Sequence, residues 1–269
     1  MHNIEGVLFV MKKAISILIL CSLMLITTAG TAMAGNPDYS ILEYGSVNVA
    51  TVDGAWTTPD EWTDTPVSDM TGNATGQFGY NIQDFTNLGL EWIVEIFTDN
   101  TTDEGDYWQI CTDDQNSGGS APDSGDFMIE IVGHTTMTLY QGTGSGWAEV
   151  TPDAGEITWS NTIDTSPWNA TPHWILEIVD SGKATGTFQV ANQPPTGLRV
   201  AAYDANTSTI AAWAPGSTAD DPDTWGLISG YSQEPIPEGL TFGVMAALSS
   251  ISLLVGAHYL RKRSKKMEK

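Results

Sequence analysis

Between Leu90 and Asp114 the chain gathers side chains suited to holding a cation. Asp99, Asn100, Asp103, Glu104 and Asp106 place five carboxylate or carboxamide groups around Gly105, and the pair Asp113-Asp114 follows shortly after. Oxygen donors crowded on a turn suit a hard cation such as calcium, which takes about 6 to 8 oxygen ligands, and they repel one another without it. The expected calcium ligands are therefore Asp99, Asn100, Asp103, Asp106, Asp113 and Asp114. The spacing is not that of an EF-hand loop. A solvated hairpin tip on an acidic protein is the plainer reading of the same residues.

Ten tryptophans form the second chemical resource. Sugars present faces of C–H bonds that stack on aromatic rings, while carboxylates and amides bind their hydroxyls. Trp108, Trp147, Trp168 and Trp174 lie in or beside loops and are the expected ligand platforms. Trp62, Trp92 and Trp225 lie in strands or fold motifs and are expected in the core. Catalysis finds little support. His134 and His173 are the histidines of the body, and there is no HExxH, zinc cysteine set or nucleophile elbow. With so many acids, no carboxylate pair is marked out for acid–base work, so the expectation is not an enzyme. Cys111 is alone in the body and reads as a small buried apolar residue. Cys21 lies in the leader, which leaves no internal disulfide.

Strands must position these groups. Leu88–Phe97 alternates β-branched and aromatic residues in the manner of a buried strand, and Tyr107–Cys111 resumes that pattern after the acidic turn. Further strand signals fall at 77–82, 126–132, 135–141, 146–150, 156–161, 173–179 and 197–203, with Gly, Pro, Asn and Asp between them. Many short strands and little capped helical periodicity predict an all-β fold, an antiparallel, jelly-roll-like β-sandwich over residues 36–230. The Ser/Gly-rich stretch after Asp114 is a long loop.

Charge is unevenly placed. From Asn36 to Pro235 there are 30 acidic residues against 2 basic ones, Lys183 and Arg199, a formal charge of −28. Such a field repels phosphate backbones, which excludes nucleic acid as a partner, and it attracts divalent cations.

Both ends read as addresses. Residues 1–34 have the charged start, apolar run and Ala32-Met33-Ala34 ending of a signal peptide, with Met11 the better start. Residues 240–260 are apolar enough for one transmembrane helix, and the basic tail 261–269 places the body outside the cell by the positive-inside rule. The linker 231–239 contains Pro237-Glu238 and resembles the Pro-Glu signature of archaeal surface-sorting tails. Gly239 replaces the aromatic usual there. Four sequons, at Asn73, Asn100, Asn169 and Asn206, fit a glycosylated cell-surface protein.

The Asp53-Gly54…Glu61-Trp62 opening, the strand ending at Asp99, the run Gly197-Leu198-Arg199-Val200-Ala201-Ala202-Tyr203-Asp204 and the closing Asp221-Pro222-Asp223-Thr224-Trp225-Gly226 occur in an order that resembles family nine carbohydrate-binding modules and the wider DOMON-like β-sandwiches. The resemblance spans residues 45–228. It implies two packed antiparallel sheets, structural calcium and, in sugar-binding members, aromatic rings that sandwich a sugar. The implied partner is an extracellular glycan or another cell-envelope component. Two alternatives stay open: an adhesive envelope protein without a small ligand, and a haem-binding electron carrier. For the latter, Met128, Met137, His134 and His173 are the candidate ligands, set against core-filling methionines.

Overall fold

The computed structural model describes residues 35–42, 50–63, 65–84, 89–181 and 195–229. The expected signal peptide, linker, transmembrane helix and basic tail lie outside the described residues, as does Lys183. Among the described residues there are thirteen strands: β1 (Ser40–Leu42), β2 (Val67–Gly72), β3 (Gly76–Asp84), β4 (Gly89–Ile96), β5 (Tyr107–Asp113), β6 (Asp126–Val132), β7 (Thr136–Gly142), β8 (Trp147–Val150), β9 (Ile157–Asp164), β10 (His173–Asp180), β11 (Thr196–Asp204), β12 (Thr209–Trp213) and β13 (Gly226–Ser229). The single helical element among the described residues is a 3-10 turn at Pro222–Thr224.

The strands form one sheet in the order β8-β7-β6-β5-β11-β12-β2-β3-β4-β10-β9, with β13 added to β11 and β1 to β13. All pairings are antiparallel except β1 with β13. Only Ala211 and Ala212 of β12 pair with β2, through Gly72 and Thr71. At this short seam the sheet curls into two walls, one running from β8 to β12 and the other from β2 to β9.

Strand alternation decides what lies between them. Trp92, Val94 and Ile96 of β4 and Leu176 and Ile178 of β10 meet Ile110 of β5, Ile129 and Ile131 of β6, and Leu198 and Val200 of β11 in one core. Each such side chain contributes roughly 1.5–3 kcal/mol when fully buried. That shared core, rather than the seam, holds the walls face to face.

β4 is buried at all eight positions, because its outward side is covered as well. Residues 50–63 form a strap across the outside of β4 and β10, where Ala50 and Trp62 pack on Ile93 and Ile175. Carboxylates pin the strap. Glu177 accepts the backbone N–H groups of Asp53 and Gly54 and the Trp62 indole N–H at 2.8–2.9 Å. Glu61 accepts the N–H groups of Thr51 and Thr57. Burial pushes the Glu177 carboxyl up to about 7, against those hydrogen bonds.

The registers also fix the two ends of the molecule. Gly76 and Trp174 both pair with Ile96, and Tyr107 pairs with both Val132 and Tyr203. The turns at 73–75, 97–106, 133–135, 165–172 and 205–208 therefore share one end. The 114–125 and 143–146 loops and the end of β13 at Ser229 lie at the other.

Candidate functional site

The acidic turn predicted from sequence lies between β4 and β5, and its neighbours come from elsewhere in the chain. Carboxylate oxygens of Asp103, Asp106 and Asp204 lie within 4.8 Å of one another, and so do ligand atoms of Asp99, Asp106 and His134. Asp204, at the end of β11, is a member that local spacing could not reveal. It arrives through the β5–β11 pairing, in which Tyr107 faces Tyr203.

Local hydrogen bonds shape this end. Thr101 donates through both its N–H and hydroxyl to Asp99. Asp106 accepts from the N–H groups of Asp103 and Ala205, and Asp204 accepts from Thr207. Burial, with the charges of Asp106 and Asp204, raises the Asp99 carboxyl above its usual range despite the Thr101 bonds. The Asp103, Asp106 and Asp204 oxygens form a hard donor set that fits calcium. The histidine in the other group has both ring nitrogens engaged: Nε2 donates to Asp106 at 2.9 Å and Nδ1 accepts from Trp108 Nε1 at 3.5 Å.

The six expected calcium ligands do not form one site. Asn100 is exposed at the turn. Asp113 and Asp114 sit at the far end of β5, whose seven residues span about 20 Å at the rise of a strand. At that far end Asp113 accepts from Ser117 and Gly118. Asp126, opposite Asp113 on β6, is fully buried, and its carboxyl is pushed up to about 7 by burial and by the Asp113 and Asp123 charges. Buried oxygens of Asp114, Asn116, Asp126 and Asp221 find no hydrogen-bond donor there.

The tryptophans divide differently from expectation. Trp108 and Trp174 are 3% and 7% exposed and face the core, so neither offers a ring to a ligand. Trp108 shares its strand face with Ile110, and Trp174 is capped by the His134 ring. Trp168 packs edge-on against Trp56 at 5.4 Å over the strap side. Trp147 lies parallel to Trp225 at 6.4 Å and donates to Asp220 on the outside of the β5–β8 wall. Trp62, Trp92 and Trp225 are buried, as expected.

That outer face also carries a constellation missed at the level of sequence. Its members are half-buried alternate residues of neighbouring strands: Tyr107 and Gln109 of β5, Glu130 of β6, Tyr140 of β7 and Tyr203 of β11. Arg199, 3% exposed, donates through Nη1 to Gln109 Oε1 at 2.8 Å and through Nε to the Ser217 carbonyl. Gln109 Nε2 in turn donates to Glu130 Oε1 at 2.7 Å. The guanidinium thus fixes which way the amide points. Tyr107 and Tyr203 stack beside this relay, 4.9 Å apart and within 17° of parallel. Burial raises both the Tyr107 and Tyr140 hydroxyls, and the Glu130 charge adds to each. Arg199 thus acts through neutral acceptors, the Gln109 amide and the Ser217 carbonyl.

The haem candidates are dispersed. Met128 packs with Cys111 and Trp225, and Met137 against the main core. His173 is held between Glu95 and the Thr171 carbonyl on the strap side. Burial pulls its ring down, but those bonds and the Glu95 charge outweigh it and raise it overall.

The four sequon asparagines lie in turns. Asn73, Asn100 and Asn206 are exposed and Asn169 is half-buried. Asn73 Oδ1 accepts from the Ile210 N–H and Asn169 Oδ1 from the Thr171 N–H.

No family model and no curated protein matches the chain. Among solved structures it is similar to a carbohydrate-binding module of family nine from Caldicellulosiruptor kristjanssonii. The complex of that module with cellotriose aligns at 14% identity over 74% of this chain and 96% of that one, with a TM-score of 0.48. Its complex with glucose aligns at 12% identity over 73% and 97%, with a TM-score of 0.49. A Bacteroides uniformis ATCC 8492 protein, provisionally described as carbohydrate-binding, aligns at 10% identity over 71% and 99%, with a TM-score of 0.48.

Proposed function

We propose that this chain is a non-catalytic carbohydrate-binding protein of the cell surface, tethered by its C-terminal apolar segment, that takes glycan on the outer face of β5, β6, β7 and β11. The observation that carries this reading is the Arg199–Gln109–Glu130 relay beside the stacked Tyr107 and Tyr203 rings. Amide and carboxylate groups held in fixed directions suit sugar hydroxyls, and half-buried rings suit C–H faces. A few convergent polar groups among aromatics are the usual makeup of a ligand site. Trp147 extends the same face.

Calcium belongs to the acidic end in this reading, held by Asp103, Asp106 and Asp204 with Asp99 beside them. Its chemistry there is structural: it neutralises carboxylates contributed by the β4–β5 turn and by β11. Signal peptide, transmembrane helix and basic tail complete the proposal as addresses.

Calorimetric titration of the full chain with soluble neutral oligosaccharides, in calcium and in chelator, tests the reading. Binding by the wild type that is lost in Glu130→Ala and Gln109→Ala is the expected result. No binding to any saccharide at millimolar concentration would instead favour an adhesive envelope protein without a small ligand.

A further inference from the structure

The sequons are scattered through the sequence from Asn73 to Asn206, yet the fold collects them. Asn73 lies between β2 and β3, Asn100 between β4 and β5, Asn169 between β9 and β10, and Asn206 between β11 and β12. All four of these connections close the same end, as the pairings of Ile96 with Gly76 and Trp174 and of Tyr107 with Tyr203 require. Asn73 also reaches β12, since its Oδ1 accepts the Ile210 N–H. The chain leaves the described fold at Ser229, at the opposite end.

Chemistry at each position fits modification. The atom that carries an N-linked glycan is Nδ2. Where these asparagines are hydrogen-bonded, as at Asn73 and Asn169, the bond is made by Oδ1. Thr75, Thr102, Thr171 and Ser208, the hydroxyl residues of the four sequons, are all exposed. Every site lies on a connection between strands, and Asn73, Asn100 and Asn206 are exposed there.

We infer that this end is an N-glycosylated pole, with glycans at Asn73, Asn100, Asn169 and Asn206. At each site Nδ2 bonds to the anomeric carbon of an oligosaccharide activated on a lipid phosphate. The bond from that carbon to the phosphate oxygen breaks, the lipid phosphate leaves with the electron pair, and one amide proton is released. The glycans sheathe the end remote from Ser229 and leave the 114–125 loop bare.

Glycopeptide mass spectrometry of the full chain, purified from the cells that make it, tests the inference. The expected result is a glycan mass on each of the four asparagines. Because Asn73 and Asn169 also hold backbone through Oδ1, the control variants are Thr75→Ala, Thr102→Ala, Thr171→Ala and Ser208→Ala. Each should lose its own glycan while the melting temperature of the enzymatically deglycosylated protein is unchanged. Unmodified peptides across all four sites, or sugar found only outside this end, would overturn it. Saccharide binding at the Glu130 face is read separately and is unaffected by that outcome.

Discussion

The imidazole of His134 lies flat on the indole of Trp174, with ring centroids 3.6 Å apart and planes within 9°. The β6–β7 turn, where Gly133 and His134 both have positive φ, thereby caps a core residue of the opposite wall. His134→Ala would uncover Trp174, deprive Asp106 of a donor and leave the Trp108 N–H without its acceptor. The expected loss is about 2–3 kcal/mol, read by denaturant unfolding. A change below about 0.5 kcal/mol, the size of an ordinary surface substitution, would show that the stack does not join the walls.

Chelation is expected to lower the melting temperature of the wild type by several degrees, as removal of a ligand bound only to the native state does. Asp204→Asn keeps an oxygen for Thr207 while removing a charge from the oxygen set, so this variant should melt at nearly the same temperature with and without calcium. Equal responses of the two proteins would remove Asp204 from the site.

The pH dependence of metal-free stability follows from carboxyls held above their usual range. Glu177 and Asp126 are raised to about 7, and Asp99 and Asp114 also move upward. A raised acid favours the protonated folded state, so its contribution is full below the unfolded pKa and fades as pH rises through the folded one. His173, raised as well, has the same sign. In chelator the protein should therefore become more stable as pH falls from about 8 to about 5, measured as a rising melting temperature. Glu177→Gln should flatten part of that slope, and a slope of opposite sign would refute the assignment.

Saccharide affinity should fall by about tenfold or more, roughly 1.4 kcal/mol, in Tyr203→Ala and Glu130→Gln. Trp108→Phe, a core change, should reduce stability and leave affinity within about twofold. Arg199→Lys separates positioning from charge. A lysine cannot hold Gln109 and the Ser217 carbonyl together as the guanidinium does, so affinity should drop although the cation remains.

Burial pushes the Cys111 thiol up to about 11. It should resist an alkylating reagent at pH 8 in the native protein and react within minutes in denaturant, which a mass shift reports. Rapid native labelling would mean that the cluster of Met128 and Trp225 opens.

Much of the framework was legible from local pattern. Strands at 126–132, 173–179 and 197–203 follow the alternation of apolar residues closely. β2 escaped notice because Val-Ser-Asp-Met-Thr-Gly has a single fully buried side chain, Met70. The acidic turn was visible, but its Asp204 partner depends on a register between strands almost a hundred residues apart. Strand phase explains the tryptophans: Trp108 points the same way as Ile110, so nearness to a loop did not expose it. Gln109, Glu130 and Arg199 become one network only when three strands lie side by side, and none of them is unusual in its own segment.

Gly54 touches the backbone of Asn161 so closely that a methyl group there would lie 2.7–2.8 Å from its atoms. The strap's seat is thus built from β9, and its anchor, Glu177, follows Asp53 by 124 residues. An N-terminal piece that emerges first from synthesis or export must wait, unfastened, until the hairpin of β9 and β10 exists to receive it. Any truncation before Glu177 would leave Trp56 and Trp62 with nowhere to rest.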